Sequence, residues 1–598
     1  MLKRLIFNVS VTVMTGILMG NAAGATEVSL NAPGTSKDFA SKLRLESVAI
    51  QTAARDNTTP QDMLAAAQAD YARLTGVLYA AGYYGGVISI LVDGREAARV
   101  PPLSTPTRID QIIVTVDPGP PFLFGNARVA PLAQGTKLPK GFARGQQARG
   151  DAVTDAAKAG VERWWDIGHA KAEVTGQDIT ADHRDSTLDV DVRLTPGPRL
   201  TFGNLNVSEG SKVRASRIRA IADLPTGDVY SPDAVKTSAN RLRRTGAFRS
   251  VALKESDVIG PNETLDFSAD LVDAKPRRVG VGVELSSLEG VSVSAFWLHR
   301  NLLGGAEKLR FDAEVGGIGG NSGGEDYRLA ARFERPATFN SDTGLYIDAS
   351  IEENDEPDYR ERNIQVGAGL THIFADHLYG EAGIAYRYSE IDDDLGSRTI
   401  EQIVFPGRLT WDRRDNALDP RKGAYVGLEL DPFVNLDGGA PGARIYVDGR
   451  AYHSFGDQKR LTLAARAQVG SVVGAKAADV SPEFLFYSGG AGTVRGQPYQ
   501  SLAVDLGGGN RIGGRSFMAF SGELRSQIND KFGVVAFADT GYVGADDLGT
   551  GSGNWHSGAG IGGRYYTGIG PIRVDLATPL DGDAGKDFEL YIGIGQAF

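Results

Sequence analysis

From Pro276 to Phe598 the sequence alternates between polar and apolar residues in segments of about ten residues. In "RLTLAARAQVG", for example, Leu461 and Leu463 lie on one face of an extended chain and Arg466 lies on the other. Charges confined to one face are typical of transmembrane β-barrels, whereas the strands of a soluble sandwich run shorter and expose their polar face to solvent. About sixteen such segments fit into this range, so the sequence predicts a 16-stranded antiparallel transmembrane β-barrel over residues 276–598.

The N-terminus has the order of a secretory signal. Lys3 and Arg4 precede an apolar stretch that ends at Met19, and the small residues of "NAAGA" follow. This order predicts a signal peptide over residues 1–25 with cleavage after Ala25; a buried first helix is the alternative. No later segment has the unbroken apolar run of a membrane helix, but an exported chain can also cross a membrane as a closed barrel.

Between these two regions, residues 26–275 mix helical and strand patterns and repeat. Three predicted helices close on Gly82, Gly168 and Gly246, and each is followed by a strand. A second landmark repeats in the stretches "DPGPPFLFGNARV" and "TPGPRLTFGNLNV", which contain Gly119 and Gly197. The spacing of these two glycines is 78 residues (197 − 119), and Gly168 and Gly246 have the same spacing (246 − 168). Two landmarks with one spacing indicate an internal repeat of strand, helix, helix, strand, strand. The predicted modules cover residues 26–121, 122–198 and 199–275.

The composition argues against several classes of function. The chain contains no cysteine, so it has no disulfide, no thiolate metal site and no cysteine nucleophile. Its seven histidines form no H-E-x-x-H pattern. The net charge of -11 without a basic block argues against nucleic-acid binding. "GAGIGG" (Gly558 to Gly563) matches G-x-G-x-x-G but lies in a predicted strand and opens no helix. The sequence therefore predicts no enzyme activity, no cofactor and no metal site.

One long loop, about residues 474–514, stands out within the predicted barrel. It has no predicted structure of its own, exceeds the length of a hairpin turn, and contains "GGAGTVRGQPYQSL" with the lone cation Arg495. Folded into the lumen, the loop would bring Arg495 near Glu523, which alternation points inward. Asp539 shares its face with apolar residues, so alternation leaves its direction open, although a carboxylate facing lipid is costly. A guanidinium can bind two carboxylates at once. The alternative is that Arg495 caps an outer loop in solvent.

The last predicted strand, "FELYIGIGQAF", closes the barrel against its first strand. Alternation places five apolar residues on the face toward lipid: Phe588, Leu590, Ile592, Ile594 and Phe598. The predicted seam lies between about 277–287 and 588–598, where strand glycines weaken pairing. The predicted seam and terminal-signal residues are Phe588, Tyr591, Gly593, Gly595 and Phe598.

Several of these motifs resemble those of a known superfamily. "VRGQPYQSL" is similar to the VRGY/F motif of a lumen loop, and "SGELR" and "FADTGYVG" are similar to the barrel-strand motifs that meet it. The "PGPxxxFG" junctions resemble POTRA domains, so the chain resembles the POTRA-plus-barrel outer-membrane protein-assembly superfamily that includes BamA. The resemblance implies a lumen-loop motif of Val494, Arg495, Gly496 and Tyr499, held by Glu523 and Asp539. Gln497 departs from the family pattern, which has an aromatic residue there; Tyr499 is expected to take over its packing.

The same resemblance implies a function. The expected protein is a non-enzymatic assembly factor of a Gram-negative outer membrane, with periplasmic modules, which inserts or translocates β-rich clients such as autotransporters by strand templating at module edges and at the seam. The number of modules, three, and the stretch "GPIRVDLATPL" are similar to those of the TamA group of this superfamily. That group implies a TamB-like inner-membrane-anchored partner, with outer-membrane lipid around the barrel. The alternatives are a two-partner-secretion type pore, which would have two modules and a helical plug, and a passive porin.

Overall fold

The fold is that of a computed structural model, which describes residues 26–101, 106–286, 290–320, 323–456, 459–568, 570–581 and 588–598. The predicted signal peptide, residues 1–25, lies outside the described residues. The chain divides into two compact units. The first runs to Thr201 and includes Asp228–Pro232, and the second comprises Phe202–Gly227 and Asp233–Phe598. The third repeat therefore groups with the C-terminal region, and the first two repeats form a unit of their own.

The first repeat folds as a four-stranded sheet with three helices. The elements are β1 (Glu27–Asn31), α1 (Lys37–Glu46), α2 (Val48–Ala53), α3 (Pro60–Ala80), β2 (Val87–Val92), β3 (Arg95–Glu96) and β4 (Gln111–Asp117). The strand order is β1-β4-β2-β3, and the buried core includes Leu64, Leu74 and Ile112. The longest helix, α3, begins with a capping box, in which the Thr59 side chain and Asp62 satisfy each other's backbone N–H groups.

The second repeat has one helix where the repeat pattern predicted two. Its elements are β5 (Leu123–Ala130), α4 (Gly150–Asp166), β6 (Glu173–Asp182) and β7 (Thr187–Thr195), in the sheet order β5-β7-β6. The prediction of two helices is wrong here because residues 131–149, which precede α4, contain two prolines and three glycines: Pro131, Gly135, Pro139, Gly141 and Gly145. Both residue types are unfavourable inside a helix.

The third repeat has the predicted order of strand, helix, helix, strand, strand. Its elements are β8 (Thr201–Val207), α5 (Ala215–Ala222), α6 (Pro232–Arg244), β9 (Phe248–Glu255) and β10 (Thr264–Asp273), with the sheet order β8-β10-β9. The repeated glycines Gly82, Gly168 and Gly246 have φ angles of 86°, 104° and 68°. This left-handed conformation favours glycine and ends a helix, which explains why the same residue recurs at these positions.

The C-terminal region is one large antiparallel sheet of seventeen strands. Its strands are β11 (Arg277–Ser286), β12 (Gly290–His299), β13 (Lys308–Ile318), β14 (Asp326–Arg335), β15 (Thr343–Glu356), β16 (Tyr359–Ala375), β17 (Leu378–Asp393), β18 (Arg398–Val404), β19 (Gly407–Asp412), β20 (Gly423–Asn435), β21 (Gly442–Phe455), β22 (Leu461–Val473), β25 (Ser516–Gln527), β26 (Phe532–Gly544), β27 (Gly553–Thr567), β28 (Gly570–Pro579) and β29 (Glu589–Ile594). A separate hairpin, β23 (Val504–Gly507) and β24 (Asn510–Ile512), lies between β22 and β25.

The strands follow one another in sequence order, and the order closes into a ring. Among the described residues, β11 pairs with β29 at two positions, Leu285 with Ile592 and Ser286 with Tyr591. Both β18 and β19 lie between β17 and β20, so they are two halves of one interrupted strand. Pro406 lies at the interruption, where a residue without an N–H group cannot continue the ladder.

The two faces of this ring differ in composition. On β22, Leu463 is exposed on the outer face and Ala464 is fully buried on the inner face. The inner face carries charged side chains that are nonetheless buried, including Glu361, Arg387 and Asp575. Within the described parts of the chain, the helices are all too short or too polar to span a membrane.

A loop held inside the ring of strands

The segment between β22 and β25, residues 474–515, is the loop that the sequence singled out. The expectation that it has no structure of its own is wrong, since it contains the hairpin β23–β24 and two short 3-10 turns. The hairpin turns at Gly507, Gly508 and Gly509, whose φ angles are 86°, 72° and 93°. Three consecutive residues in the left-handed region allow a tight turn that other residues would resist.

The loop lies inside the ring, because its side chains and backbone contact strands from many positions around the ring. The loop residue is named first in each of four such hydrogen-bonded contacts: Tyr499 with Glu356 of β15, Glu483 with Arg387 of β17, Arg495 with Asp539 of β26, and Gly496 with Tyr591 of β29.

Arg495 makes the most extensive of these contacts and is only 2% exposed. Its Nη1 lies 2.6 Å from Glu523 Oε1, and its Nε and Nη2 lie 2.8 and 3.0 Å from the two carboxylate oxygens of Asp539. The backbone N–H of Arg495 also donates to Asp539, at 3.1 Å. The guanidinium carbon is 3.6 Å from the ring centroid of Phe537. The alternative that Arg495 caps an outer loop in solvent is therefore excluded.

The charges around Arg495 extend beyond the two carboxylates named from the sequence. Asp575 of β28 lies 3.6 Å from Arg495 Nη1 and is also paired with Arg564. Arg525 donates to Glu523 at 2.7 Å. Three arginines and three carboxylates therefore balance each other where almost no solvent reaches. We call these six residues the Arg495 network: Arg495, Arg525, Arg564, Glu523, Asp539 and Asp575.

Sequence reasoning missed Asp575, although a signal was present. Asp575 lies in "RVDLA", where Val574 and Leu576 are exposed on the outer face and Asp575 is fully buried on the inner face. The same alternation that pointed Glu523 inward applies to Asp575. For Asp539, the apolar residues on its face, Val535 and Phe537, are buried inside the ring with it.

The residues next to Arg495 bring the loop backbone close to the wall. Gly496 has a φ of 91°, and a Cβ there would lie 2.6 Å from the carbonyl carbon of Thr578. Its N–H donates to the hydroxyl of Tyr591 at 3.2 Å. Val494 is fully buried. A residue larger than glycine at position 496 would therefore move the loop away from β28.

Gln497, which stands where the family pattern has an aromatic residue, makes polar contacts. Tyr499, which was expected to take over the packing of that residue, also makes a polar contact. Gln497 Nε2 donates to the carbonyl of Ser557 at 2.8 Å and to the carboxylate of Asp581 at 2.9 Å. The Tyr499 hydroxyl donates to Glu356 Oε1 at 3.0 Å. A side chain that carries an amide at position 497 thus attaches the loop to β27 and to the turn after β28.

The "GAGIGG" stretch has a steric explanation. It lies inside β27, and a Cβ at Gly558 would overlap the carbonyl oxygen of Arg495. A Cβ at Gly560 would overlap the carbonyl oxygen of Leu576 on the neighbouring strand. These glycines allow close approach of backbone, in keeping with their position in a strand.

The residues of the predicted terminal strand divide into two groups. Phe588, Leu590, Ile592 and Ile594 are exposed on the outer face, as alternation predicted. The placement of Phe598 on that face is wrong, because Phe598 is only 6% exposed and packs against Tyr452 and Ala464. The strand ends at Ile594 and alternation ends with it.

The cause of this change of direction is Gly595, which has a φ of 95° and lies outside β29. Beyond it, Gln596 donates its backbone N–H to the carbonyl of Leu418, in the turn between β19 and β20. The Phe598 carbonyl then accepts from Arg525 Nη2 at 3.0 Å, so the inward turn ends on the Arg495 network. Gly593 remains in the strand and pairs with Arg573 of β28.

A second group of arginines joins the third repeat to the turns of the sheet. Asp342, in the turn before β15, accepts from Arg241 Nη2 at 2.6 Å and from Arg244 Nη2 at 2.9 Å, both on α6. Hydrogen bonding from Arg241 holds the pKa of Asp342 below its usual value. Arg214 donates to the carbonyl of Gly304 at 3.2 Å. The "RLRR" end of α6 was the sequence signal, but nothing local indicated its partner 98 to 101 residues away.

The fold and the loop together define a class of protein, in which small α+β repeats precede a closed antiparallel sheet with an inward loop held by a buried arginine. The fold resembles the crystal structure of BamA from Haemophilus ducreyi lacking POTRA domains 1–3 (TM-score 0.62, 16% identity, 79% of this chain and 100% of that one). It also resembles CdiB from Acinetobacter baumannii (TM-score 0.50, 11% identity, 79% of this chain and 89% of that one).

A family model matches the C-terminal region. Residues 301–598 match the Omp85 superfamily domain. A curated relative is the outer membrane protein assembly factor BamA of Neorickettsia risticii (strain Illinois), 22% identical over 446 residues. That alignment covers 69% of this chain and 57% of the relative, so the chain spans little more than half of that protein's length.

Proposed function

We propose that this chain is a non-enzymatic assembly factor of a Gram-negative outer membrane. Residues 276–598 form the transmembrane barrel, which has sixteen strands when the interrupted pair β18 and β19 is counted as one. Residues 26–275 form three POTRA-like modules in the periplasm. The observation that carries the proposal is the loop fixed inside the ring by Arg495, in the region that matches the Omp85 superfamily domain.

The seam between β11 and β29 supports a mechanism of strand templating. The two strands pair at two positions in the described residues, whereas β11 pairs with β12 at ten positions from Arg277 to Ser286. A strand edge with unpaired N–H and C=O groups accepts another strand by backbone hydrogen bonding. A client β-strand is thus added at the seam, and the wall of the barrel supplies its register.

The second repeat offers another edge of the same kind. Strand β6 is ten residues long, lies at the edge of the sheet β5-β7-β6 and pairs with β7 along one side. Most of its side chains are exposed, among them Val174 and Ile179. An extended client segment would be captured here before it reaches the membrane.

The particular member of the superfamily that we propose is TamA-like. The three repeats and the "GPIRVDLATPL" stretch support this assignment. Its clients would be autotransporters and other β-rich outer-membrane proteins, and its partner would be a TamB-like protein anchored in the inner membrane. A two-partner-secretion type pore is the alternative, and it would pass its substrate through the lumen without using the seam.

Locking the seam separates these functions. Cysteines introduced at Leu285 and Ile592 lie in register across the seam, and no other thiol competes because the chain contains no cysteine. A crosslinked pair should abolish client insertion into vesicles, and a reducing agent should restore it. The matched control is a pair at Ala295 and Ala313, in register between β12 and β13, which should leave insertion unchanged. Undiminished insertion with a locked seam would contradict templating and favour passage through the lumen.

Location and processing are tested separately. The full chain expressed in a Gram-negative host should fractionate with the outer membrane, and the mature protein should have lost residues 1–25 by mass measurement. Recovery of an uncleaved chain from the cytosol would contradict the proposal.

A further inference from the structure

A second charged contact holds the loop, twelve residues before Arg495 (495 − 483). Arg387 of β17 donates from Nη2 to Glu483 of the loop and, at 3.1 Å, to Glu361 Oε1 of β16. Ser481 of the loop donates its hydroxyl to the same oxygen of Glu361 at 2.7 Å. We call Ser481, Glu483, Glu361 and Arg387 the second anchor.

The second anchor has the opposite polarity to the Arg495 network. At Arg495 the loop supplies the cation and the wall supplies carboxylates, whereas at Glu483 the loop supplies a carboxylate and the wall supplies the cation. The two contacts also lie on different parts of the ring, β16–β17 and β25–β28, separated by β18 to β22. The loop is therefore attached at two distant positions by charges of opposite sign.

The two contacts differ in their access to water. The Glu483 side chain is 40% exposed, whereas Arg495 and its carboxylate partners are almost completely buried. Glu483 faces a cavity of about 440 Å³ inside the ring, which is also lined by charged residues of the wall such as Arg328, Arg408 and Arg444. A partly solvated ion pair is weaker than a buried one, because water competes with the partner for each charge.

Release of the second anchor leaves no orphaned buried charge. When the Glu483 carboxylate departs, Arg387 keeps Glu361 as its counter-charge, and Glu483 faces a cavity whose lining includes the cations Arg328, Arg408 and Arg444. Departure of Arg495 would instead leave three buried carboxylates with only Arg525 and Arg564, and an uncompensated buried charge is costly. The balance of charges thus favours release at Glu483 first.

We propose that Glu483 is a positioning residue and that the second anchor is a releasable closure of the barrel interior on the β16–β17 side. With Arg495 in place, release of the Glu483 carboxylate from Arg387 lets the Glu483 side chain turn into the cavity and opens the cavity to water on the β16–β17 side. Phe484, whose ring centroid lies 5.1 Å from the Arg387 guanidinium carbon, stays packed with Phe433 and keeps the backbone of the loop on the wall. The inference rests on one part of the proposed function, namely that the ring of strands spans a membrane.

The test uses the full chain in lipid vesicles and a single introduced cysteine. Ser350→Cys places the only thiol on the wall of the cavity, where its labelling rate with a charged methanethiosulfonate reports access of water. Glu483→Gln should raise the labelling rate about tenfold, which corresponds to about 1.4 kcal/mol and suits the loss of a hydrogen bond between charged groups. The same variant should raise ion conductance across planar bilayers.

Asp505→Asn is the matched control, because Asp505 is an exposed loop carboxylate whose hydrogen bond is to Gly507 of its own hairpin. It removes the same charge and should leave labelling and conductance unchanged. Glu483→Asp keeps the charge on a shorter side chain and should give a smaller rise. Heat-dependent gel mobility shows whether both variants are folded. If they are, equal labelling rates in Glu483→Gln and Asp505→Asn would overturn the proposal.

This experiment fails separately from the proposed function. The vesicles contain no client, so the labelling rate does not depend on whether the chain assembles anything. A protein that never inserts into the vesicles contradicts the transmembrane barrel itself. A protein that inserts but shows no difference between the two charge-neutralising variants contradicts only the second anchor.

Discussion

Two arginine–aspartate contacts of this chain use the same chemistry at very different depths. Arg495 and Asp539 meet inside the ring with side chains that are 3% and 1% exposed. Arg241 and Asp342, which join the third repeat to a turn of the sheet, are 16% and 25% exposed. In both, one guanidinium binds both oxygens of one carboxylate.

The difference teaches that burial, and not the residue pair, decides what such a contact does. A buried charge that loses its partner cannot recruit water, so the Arg495 network fixes the loop in one place. A partly exposed pair can exchange its partner for water at a cost of about 0–1 kcal/mol. The contact at Asp342 therefore orients the third repeat and remains reversible.

The largest effect is expected from Arg495→Ala. The change leaves Glu523, Asp539 and Asp575 with too little positive charge, and breaking a buried pair costs roughly 3–5 kcal/mol. Urea unfolding of the barrel in detergent should show this loss, and client insertion should fall while the chain still reaches the membrane. Arg360→Ala is the matched control, since Arg360 pairs with Glu353 at the surface and its removal should leave stability near that of the parent. Equal stability of Arg495→Ala and Arg360→Ala would contradict the conclusion that burial decides the effect of an arginine contact.

Arg495→Lys sharpens the same contrast by keeping the charge. An ammonium group cannot reproduce the three-point contact with both Asp539 oxygens and Glu523, so about 1–3 kcal/mol should still be lost. Urea unfolding beside Arg495→Ala gives the measurement. Full restoration by lysine would show that charge alone, without the geometry of the guanidinium, holds the loop.

A smaller effect is expected at the exposed contact. Asp342→Asn removes the shared partner of Arg241 and Arg244, and the barrel should lose no more than about 1 kcal/mol. Proteolytic cleavage near the junction at 274–276 should become faster as the third repeat is released. Asp257→Asn, at an exposed aspartate of the same repeat, is the control and should leave the cleavage rate unchanged. A large loss of barrel stability in Asp342→Asn would contradict the division by burial.

The smallest effect is a dependence on pH below the physiological range. The pKa of Asp342 lies below its usual value because Arg241 donates hydrogen bonds to the charged form. A group with a lowered pKa in the folded state contributes stability above its unfolded pKa of about 3.9 and loses it as the pH falls through the folded value. Cleavage at the 274–276 junction should therefore be constant from pH 8 to 5 and rise below about pH 4. In Asp342→Asn this rise should be absent; a rise of equal size there would point to other groups.

Much of the fold follows from periodicity. Alternation located the strands of the C-terminal region, and a 78-residue spacing located glycines that have positive φ angles in the structure. The same rules failed where single residues break the pattern. Gly595 ends the alternation and sends Phe598 inward, and the prolines and glycines before α4 remove a helix that the repeat implied.

The site was accessible to sequence reasoning only in part. Alternation pointed Glu523 inward and left Asp539 undecided, because apolar residues on its face also lie inside. Asp575 obeys the same alternation, but no rule of sequence connects it to a loop 80 residues earlier (575 − 495). The contact of Arg241 with Asp342 joins a helix to a turn across 101 residues, and only the tertiary structure brings them together.

The glycines at which the loop meets the wall add a consequence for mutational tolerance. A Cβ at Gly558 would collide with the carbonyl of Arg495, and a Cβ at Gly496 would collide with the backbone of Thr578, so at these two points there is no room for even one methyl group. A Cβ at Gly541 would meet side-chain atoms of Ser488 and Val494. Shape therefore restricts where the loop can lie independently of charge. A saturation scan should find that Gly558 and Gly496, which meet backbone atoms, reject alanine as firmly as they reject tryptophan, a signature that separates a steric fit from a merely flexible turn.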